Sequence, residues 1–231
     1  MTNELKKQDD SSLMKFVQAI AISPDDARIV VKQYENQVRE LNPNISDIEV
    51  QNIIVDKIVS RYSKLAATSG AATSLPGIIP GIGTAVSAIG GSMADISTCI
   101  KFQVDMTMCL AIAINKELNN EDAKHLSYII ALSGTIEQAA SKGATNLATK
   151  ASVRLMQKHL TGATLEIIKN LFKHVGIAFT KKAALRIIPF GIGAVIGAGT
   201  NFALTKYVGR TAVEILRIHK NEMGNEREIV I

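Results

Sequence analysis

Tryptophan is absent from this chain, and four Tyr and six Phe are its whole aromatic complement. Sheets draw stability from cross-strand aromatic and β-branched pairs, and no stretch here alternates polar and apolar residues between hairpin turns. A β-sandwich or barrel is therefore excluded. Packing must rest on Ala, Ile, Val, Leu and Met, which suit helices lying close together.

Basic runs are also missing. The net charge is +5, with pI about 9.2, but the 26 Lys and Arg are spread along the chain. Nucleic-acid binding needs a basic stripe, so no nucleic-acid partner is expected. The excess suits contact with anionic lipid, as it does in many cytosolic proteins. Cysteine is scarce, with only Cys99 and Cys109. On one helix, ten residues set them roughly 15 Å apart, too far for a disulfide. Two buried free thiols are expected, as in a reducing compartment. The polar N-terminus MTNELKKQDDSS lacks the apolar core of a signal peptide. These features point to a cytoplasmic protein, peripheral at the inner face of a membrane if it meets one.

Metal and cofactor signatures are absent too. His125, His159, His174 and His219 stand far apart, without ligand spacing on one helix face. No Gly-Lys-Ser or Gly-Lys-Thr marks a P-loop. Gly90-Gly91-Ser92 looks superficially like a nucleophile elbow, and Gly191, Gly193 and Gly197 like a dinucleotide loop. Both motifs need a strand ahead of them, and none is read here. Neither a cofactor nor a metal is expected, and no catalytic residue emerges.

What is present is a stretch apolar on every side, Leu75 to Ile114, whose only charges are Asp95, Lys101 and Asp105. It opens on Pro76-Gly77 and Pro80-Gly81, read as hinges. Small residues then recur at i+4 spacing: Gly83, Ser87, Gly91, Asp95 and Cys99. Such a stripe forms a groove for another helix. From Ile96 to Ile114 no polar face exists, which predicts a helix central in a bundle or in contact with lipid. Ser92-Met93-Ala94-Asp95 also reads as a local cap, with Asp95 as a helix-start device.

Around this stretch the pattern is helical. Residues 1–10 read as a disordered tail. Helices are predicted from Ser11 or Ser12, from the cap Ser23-Pro24-Asp25-Asp26, and from the capping box Ser46-Asp47-Ile48-Glu49 with its Ile45–Val50 staple. Ile29, Val30, Tyr34, Val38 and Leu41 mark the expected buried face of the second. Asn119 to Asp122 starts a further helix. The signal weakens from Gly134 to Lys150, resumes over Val153–Leu160, and continues as an amphipathic helix over Leu165–Phe179. A second motif then echoes the first: Ile188-Pro189-Phe190-Gly191-Ile192-Gly193, followed by a stripe of Gly193, Gly197, Asn201, Thr205 and Gly209. Gly224 is expected to end that helix, leaving 223–231 as a tail. The fold class is all-α: one compact domain over 11–222, with about seven to nine helices and two glycine-rich central ones.

Four polar positions on or beside the two stripes are candidate binding residues: Asp95, Gln103, Asp105 and Asn201. A buried carboxylate needs a partner. Asn201 is the expected partner of Asp95, with the two stripes crossing near them.

The Ala/Thr/Gly-rich approach to Leu75-Pro76-Gly77, the Ala94-Asp95-Ile96 step and its apolar helix resemble the EcsC family. So do Ile188-Pro189, Gly191, Gly193, Gly197, Asn201 and Val208-Gly209-Arg210-x-Ala212. The similarity covers roughly residues 50 to 220. It implies a bacterial-type helical protein linked to membranes, in a family named for a protein encoded beside an ABC transporter. No catalytic residues come with it. Where family members often carry Tyr-Gly after the apolar helix, Asn115-Lys116-Glu117-Leu118 stands here, a departure at that turn.

A span needs about twenty apolar residues. Residues 187–205 and 65–94 have the length but are rich in Gly, Thr and Ser, and 96–114 would set Lys101 and Asp105 at membrane depth. The leading expectation is therefore a packed helical core. Its function is expected to be non-enzymatic: peripheral association with a membrane surface or a membrane protein through glycine-rich helical hairpins. The alternative is a soluble module holding an apolar ligand or a protein partner in an interhelical pocket.

Overall fold

Side-chain caps set where the helices begin. In the computed structural model, Ser23 Oγ accepts from the Asp26 N–H at 3.1 Å, and α2 runs Pro24–Leu41. Ser46 and Glu49 form the reciprocal box, with Glu49 N–H on Ser46 Oγ at 3.3 Å and Ser46 N–H on Glu49 Oε2 at 3.2 Å. They open α3, Asp47–Thr68. Asn119 Oδ1 accepts from the Asp122 N–H at 2.8 Å and opens α5, Asn120–Ala140. The remaining helices are α1 (13–20), α4 (Gly91–Ile114), α6 (Thr164–Ala184) and α7 (Ile192–Ile229). The structure describes residues 13–68, 91–140, 164–184 and 192–229, with the backbone alone at 91–96, 137–140, 164, 176–184, 192–198 and 222–229. Among the described residues there are seven helices in one compact domain and no strand.

The centre is α4. Its stretch Ser97–Ile114 is long and apolar enough to cross a membrane, and every residue of it is buried inside the domain. It touches α2, α3, α5 and α7. Its lack of a polar face thus reflects neighbours on every side. Cys99 and Cys109 are both buried, and neither is in a disulfide.

Pairing distances give the directions. Arg217 on α7 donates to Asn52 on α3 at 2.7 Å, and Gly209 lies against Val59. Since α7 positions fall as α3 positions rise, the two helices are antiparallel. Cys99 lies 4.0 Å from Thr205 and Met106 faces Gly209, so α4 and α7 run parallel. Gln103 meets Thr135 and Thr107 meets the Ser127 carbonyl, which makes α4 and α5 antiparallel. α6 packs on α5, with the Tyr128 and Phe172 rings 6.2 Å apart. The last turns of α3 and α5, the first turns of α4 and residues 199–205 of α7 therefore share one end of the bundle.

Four expectations change. On α2 the buried side is Ala27, Val31, Glu35 and Val38, whereas Ile29 is 56% and Leu41 76% exposed. The rotated face includes Glu35, a carboxylate whose burial is compensated by Lys32, Arg39 and Lys116. α5 continues through Gly134 to Ala140. A Cβ on Gly134 would lie 3.2 Å from Val208 Cγ2, so this glycine permits close approach of α7 and does not break the helix. α7 passes Gly224 and runs to Ile229, since one glycine costs only about 1 kcal/mol in a helix interior. Finally, α4 already runs from Gly91, which sets Asp95 inside the helix and not at its start. The helix read over Val153–Leu160 lies outside the described residues.

Candidate functional site

Two residues apart on a helix, side chains point to nearly opposite sides. Gln103 and Asp105 do so on α4. Asp105 is 2% exposed. It pairs with the Lys101 ammonium one turn earlier and accepts the Ile22 N–H at 2.8 Å, which ties the α1–α2 junction to the core. Burial raises the Asp105 carboxyl above its ordinary range, against the pull of Lys101 and the Ile22 N–H.

Gln103, on the other side, joins three helices. Its amide nitrogen faces Thr205 Oγ1 on α7 at 3.4 Å and Cys99 Sγ at 3.7 Å, and its oxygen accepts from Thr135 on α5. The two small-residue stripes therefore meet, around Cys99, Gln103, Thr205 and Gly209. Asn201, half-buried, lies one turn before Thr205. The Asp95 side chain is outside the described residues, and so is its expected contact with Asn201. Of the hinge and packing glycines and prolines, Pro76, Gly77, Pro80, Gly81, Gly83, Pro189 and Gly191 also lie outside them. Gly91, Gly193 and Gly197 are described by their helical backbone alone.

These core groups satisfy one another. The Cys109 thiol, 3.7 Å from the Tyr62 hydroxyl, is pushed up to about 12 by burial. It stays protonated near neutral pH, which removes the thiolate a nucleophile requires.

Among the described residues, two surface clefts bear on function. The first has a cavity volume of about 450 Å³ between α2, α3, α7 and the end of α4. Gln51 donates there to the Ala113 and Ile114 carbonyls at 2.8 and 3.2 Å, satisfying the last turn of α4. Glu35 accepts from Lys116 at 3.1 Å, Lys32 at 3.3 Å and Arg39 at 3.4 Å. Burial raises its carboxyl, but hydrogen bonds from Lys116 and Lys32 outweigh that, and the net displacement is below the ordinary 4.5. A carboxyl lowered in the folded state stabilises above its unfolded value and loses that contribution as pH falls. Thermal melting is therefore expected to weaken from about pH 4.5 downward. Glu35→Gln should flatten that part of the profile, and an unchanged slope would show that Glu35 is not its source.

The second cleft, about 540 Å³, lies along the outer face of α3 and is lined by Lys57, Ser60, Arg61, Lys64 and Thr68 with Tyr34 of α2. Lys57, Arg61 and Lys64 are exposed and fall at i, i+4 and i+7. None of these residues is among the candidate binding residues read from the sequence. The basic stripe at helical spacing was the signal that could have found them.

Compared with protein-family models, curated proteins and solved structures, the chain matches none of them.

Proposed function

We propose that this chain is a non-enzymatic helical protein that associates peripherally with an anionic membrane surface. The observation that carries the reading is a coincidence of position. The end of α3 and the start of α4, which in the sequence bound the uncharged stretch 65–94, lie at the same end of the bundle as residues 199–205, the close of the uncharged stretch 187–205. The exposed Lys57, Arg61 and Lys64 approach that end along α3. Interfacial binding draws on apolar contact together with attraction of Lys and Arg to anionic headgroups. Membership of the EcsC family belongs to the same proposal and rests on the two glycine-rich blocks. The buried state of Ser97–Ile114 favours surface contact over a span through that helix.

The second reading, a ligand or partner between helices, draws on the first cleft. It is less favoured because Glu35, Arg39 and Lys116, which line that cleft, pair with one another.

Flotation tests the proposal. The protein is expected to rise with phosphatidylcholine/phosphatidylglycerol vesicles at low salt and to be released at about 0.5 M, where charge attraction is screened within a few ångströms. It should stay at the bottom with phosphatidylcholine alone. Failure to rise with the anionic vesicles at low salt would sink the reading.

A further inference from the structure

Along α3, three cations share a cleft with hydroxyl groups and without an acid. Asp56, exposed on the same helix, does not line it. Among the described residues, Lys57, Arg61 and Lys64 take part in no ion pair, whereas Lys32, Arg39, Lys101 and Lys116 each do. An unpaired basic stripe on one helix could be solvated surface. Arg61 distinguishes this one. Its Nη1 donates to the Tyr34 hydroxyl at 3.2 Å, and its guanidinium stands 5.9 Å from the Tyr62 ring centroid. The fork is thus held from two sides, which lowers the entropy lost when it engages a ligand. Its Nε and Nη2 protons take no partner among the described residues, and Tyr34, which accepts from Arg61, keeps its own proton to give.

We infer that this cleft is a binding site for a phosphomonoester. Such a group carries up to two charges and three terminal oxygens. Arg61 offers a planar fork to two of them, Tyr34 and Ser60 offer hydroxyl protons, and Lys57 and Lys64 supply point charge on either side. A carboxylate has one charge and two oxygens, and so uses fewer of these donors. The anion can come from a lipid headgroup or from a soluble phosphorylated metabolite. The lipid source rests on the membrane reading above, whereas the site itself does not.

The test uses phosphatidylcholine vesicles carrying either phosphatidic acid or phosphatidylserine at matched surface charge, and calorimetric titration with glycerol 3-phosphate. Tighter binding to phosphatidic acid is expected. Arg61→Lys, which keeps the charge and removes the fork, should weaken that binding about tenfold while leaving phosphatidylserine binding unchanged. Arg61 is exposed, and the variant should melt with wild type, which separates lost recognition from lost fold. Equal affinity for the two lipids, with no heat from glycerol 3-phosphate, overturns the site and leaves the membrane reading standing. Glycerol 3-phosphate binding that depends on Arg61, without vesicle binding, keeps the site and overturns the membrane reading. A preference that survives Arg61→Lys places the anion elsewhere and overturns the inference. Absence of all binding overturns both.

Discussion

Replacing Asp105 by Leu is expected to cost about 3–5 kcal/mol in urea unfolding, the range for breaking one side of a buried ion pair. Lys101 and Asp105 are 3% and 2% exposed. Without the carboxylate, the Lys101 ammonium keeps only its place 5.4 Å from the Phe102 ring centroid, a weak substitute for a counter-ion. The Ile22 N–H also loses its acceptor. The companion variant Lys101→Met/Asp105→Leu removes both charges and fills the space with apolar groups. It should recover most of the loss, leaving the cost of one unpaired N–H, about 1–3 kcal/mol. A single variant costing less than about 1 kcal/mol, or a double variant no better than the single, would contradict the assignment of a mutually compensated pair.

Gly209→Leu is expected to cost about 3 kcal/mol, at the upper end of overpacking effects. A Cβ alone at this position would sit 3.0 Å from Met106 Sδ and Val59 Cγ2, and 3.1 Å from Val59 Cγ1. Met106 can bend away. Val59 cannot readily, because branching at Cβ fixes its rotamer in a helix. Gly209→Ala should therefore be milder, its contact strain partly offset by the better helix propensity of alanine. Val59→Ala should partly rescue it, with a measurable coupling between the two positions. Gly199→Ala is the control. Nothing lies within 4 Å of its Cβ, so it should stabilise by about 0.5–1 kcal/mol through backbone entropy. If both alanine variants behave alike in thermal and urea unfolding, close approach of α3, α4 and α7 at Gly209 is not what selects glycine there.

Local chemistry explains what could be read from the chain and what could not. The caps at Ser23, Ser46 and Asn119 act within three residues, so their signal is complete in the sequence. The burial of α4 was legible for a similar reason, since every side of it is apolar. Lys101, the main partner of Asp105, was also within reach at i−4 spacing. Ile22 was not, because it lies 83 residues away, in the α1–α2 junction. The same limit hid the buried side of α2. Glu35 is tolerated inside because Lys116, distant in sequence, reaches it. Likewise Gln103 was visible as an odd polar residue, but its partners Thr135 and Thr205 belong to two other helices. Glycine misled twice in the same way. At Gly134 and Gly224 it was read as weakness or an end, whereas the helices continue through.

The antiparallel seating of α7 on α3 also sets an order of events during synthesis. Asn52 and Arg217, which bond across that seam, are 165 residues apart. At roughly 5–20 residues per second, α3 waits on the order of ten to thirty seconds after leaving the ribosome before its partner exists. Val55 and Val59, both buried in the finished fold, belong to a helix whose far partner arrives last. A nascent chain of this design has reason to engage a chaperone between the emergence of α3 and that of α7, and the seam that closes last is the one where Gly209 meets Val59.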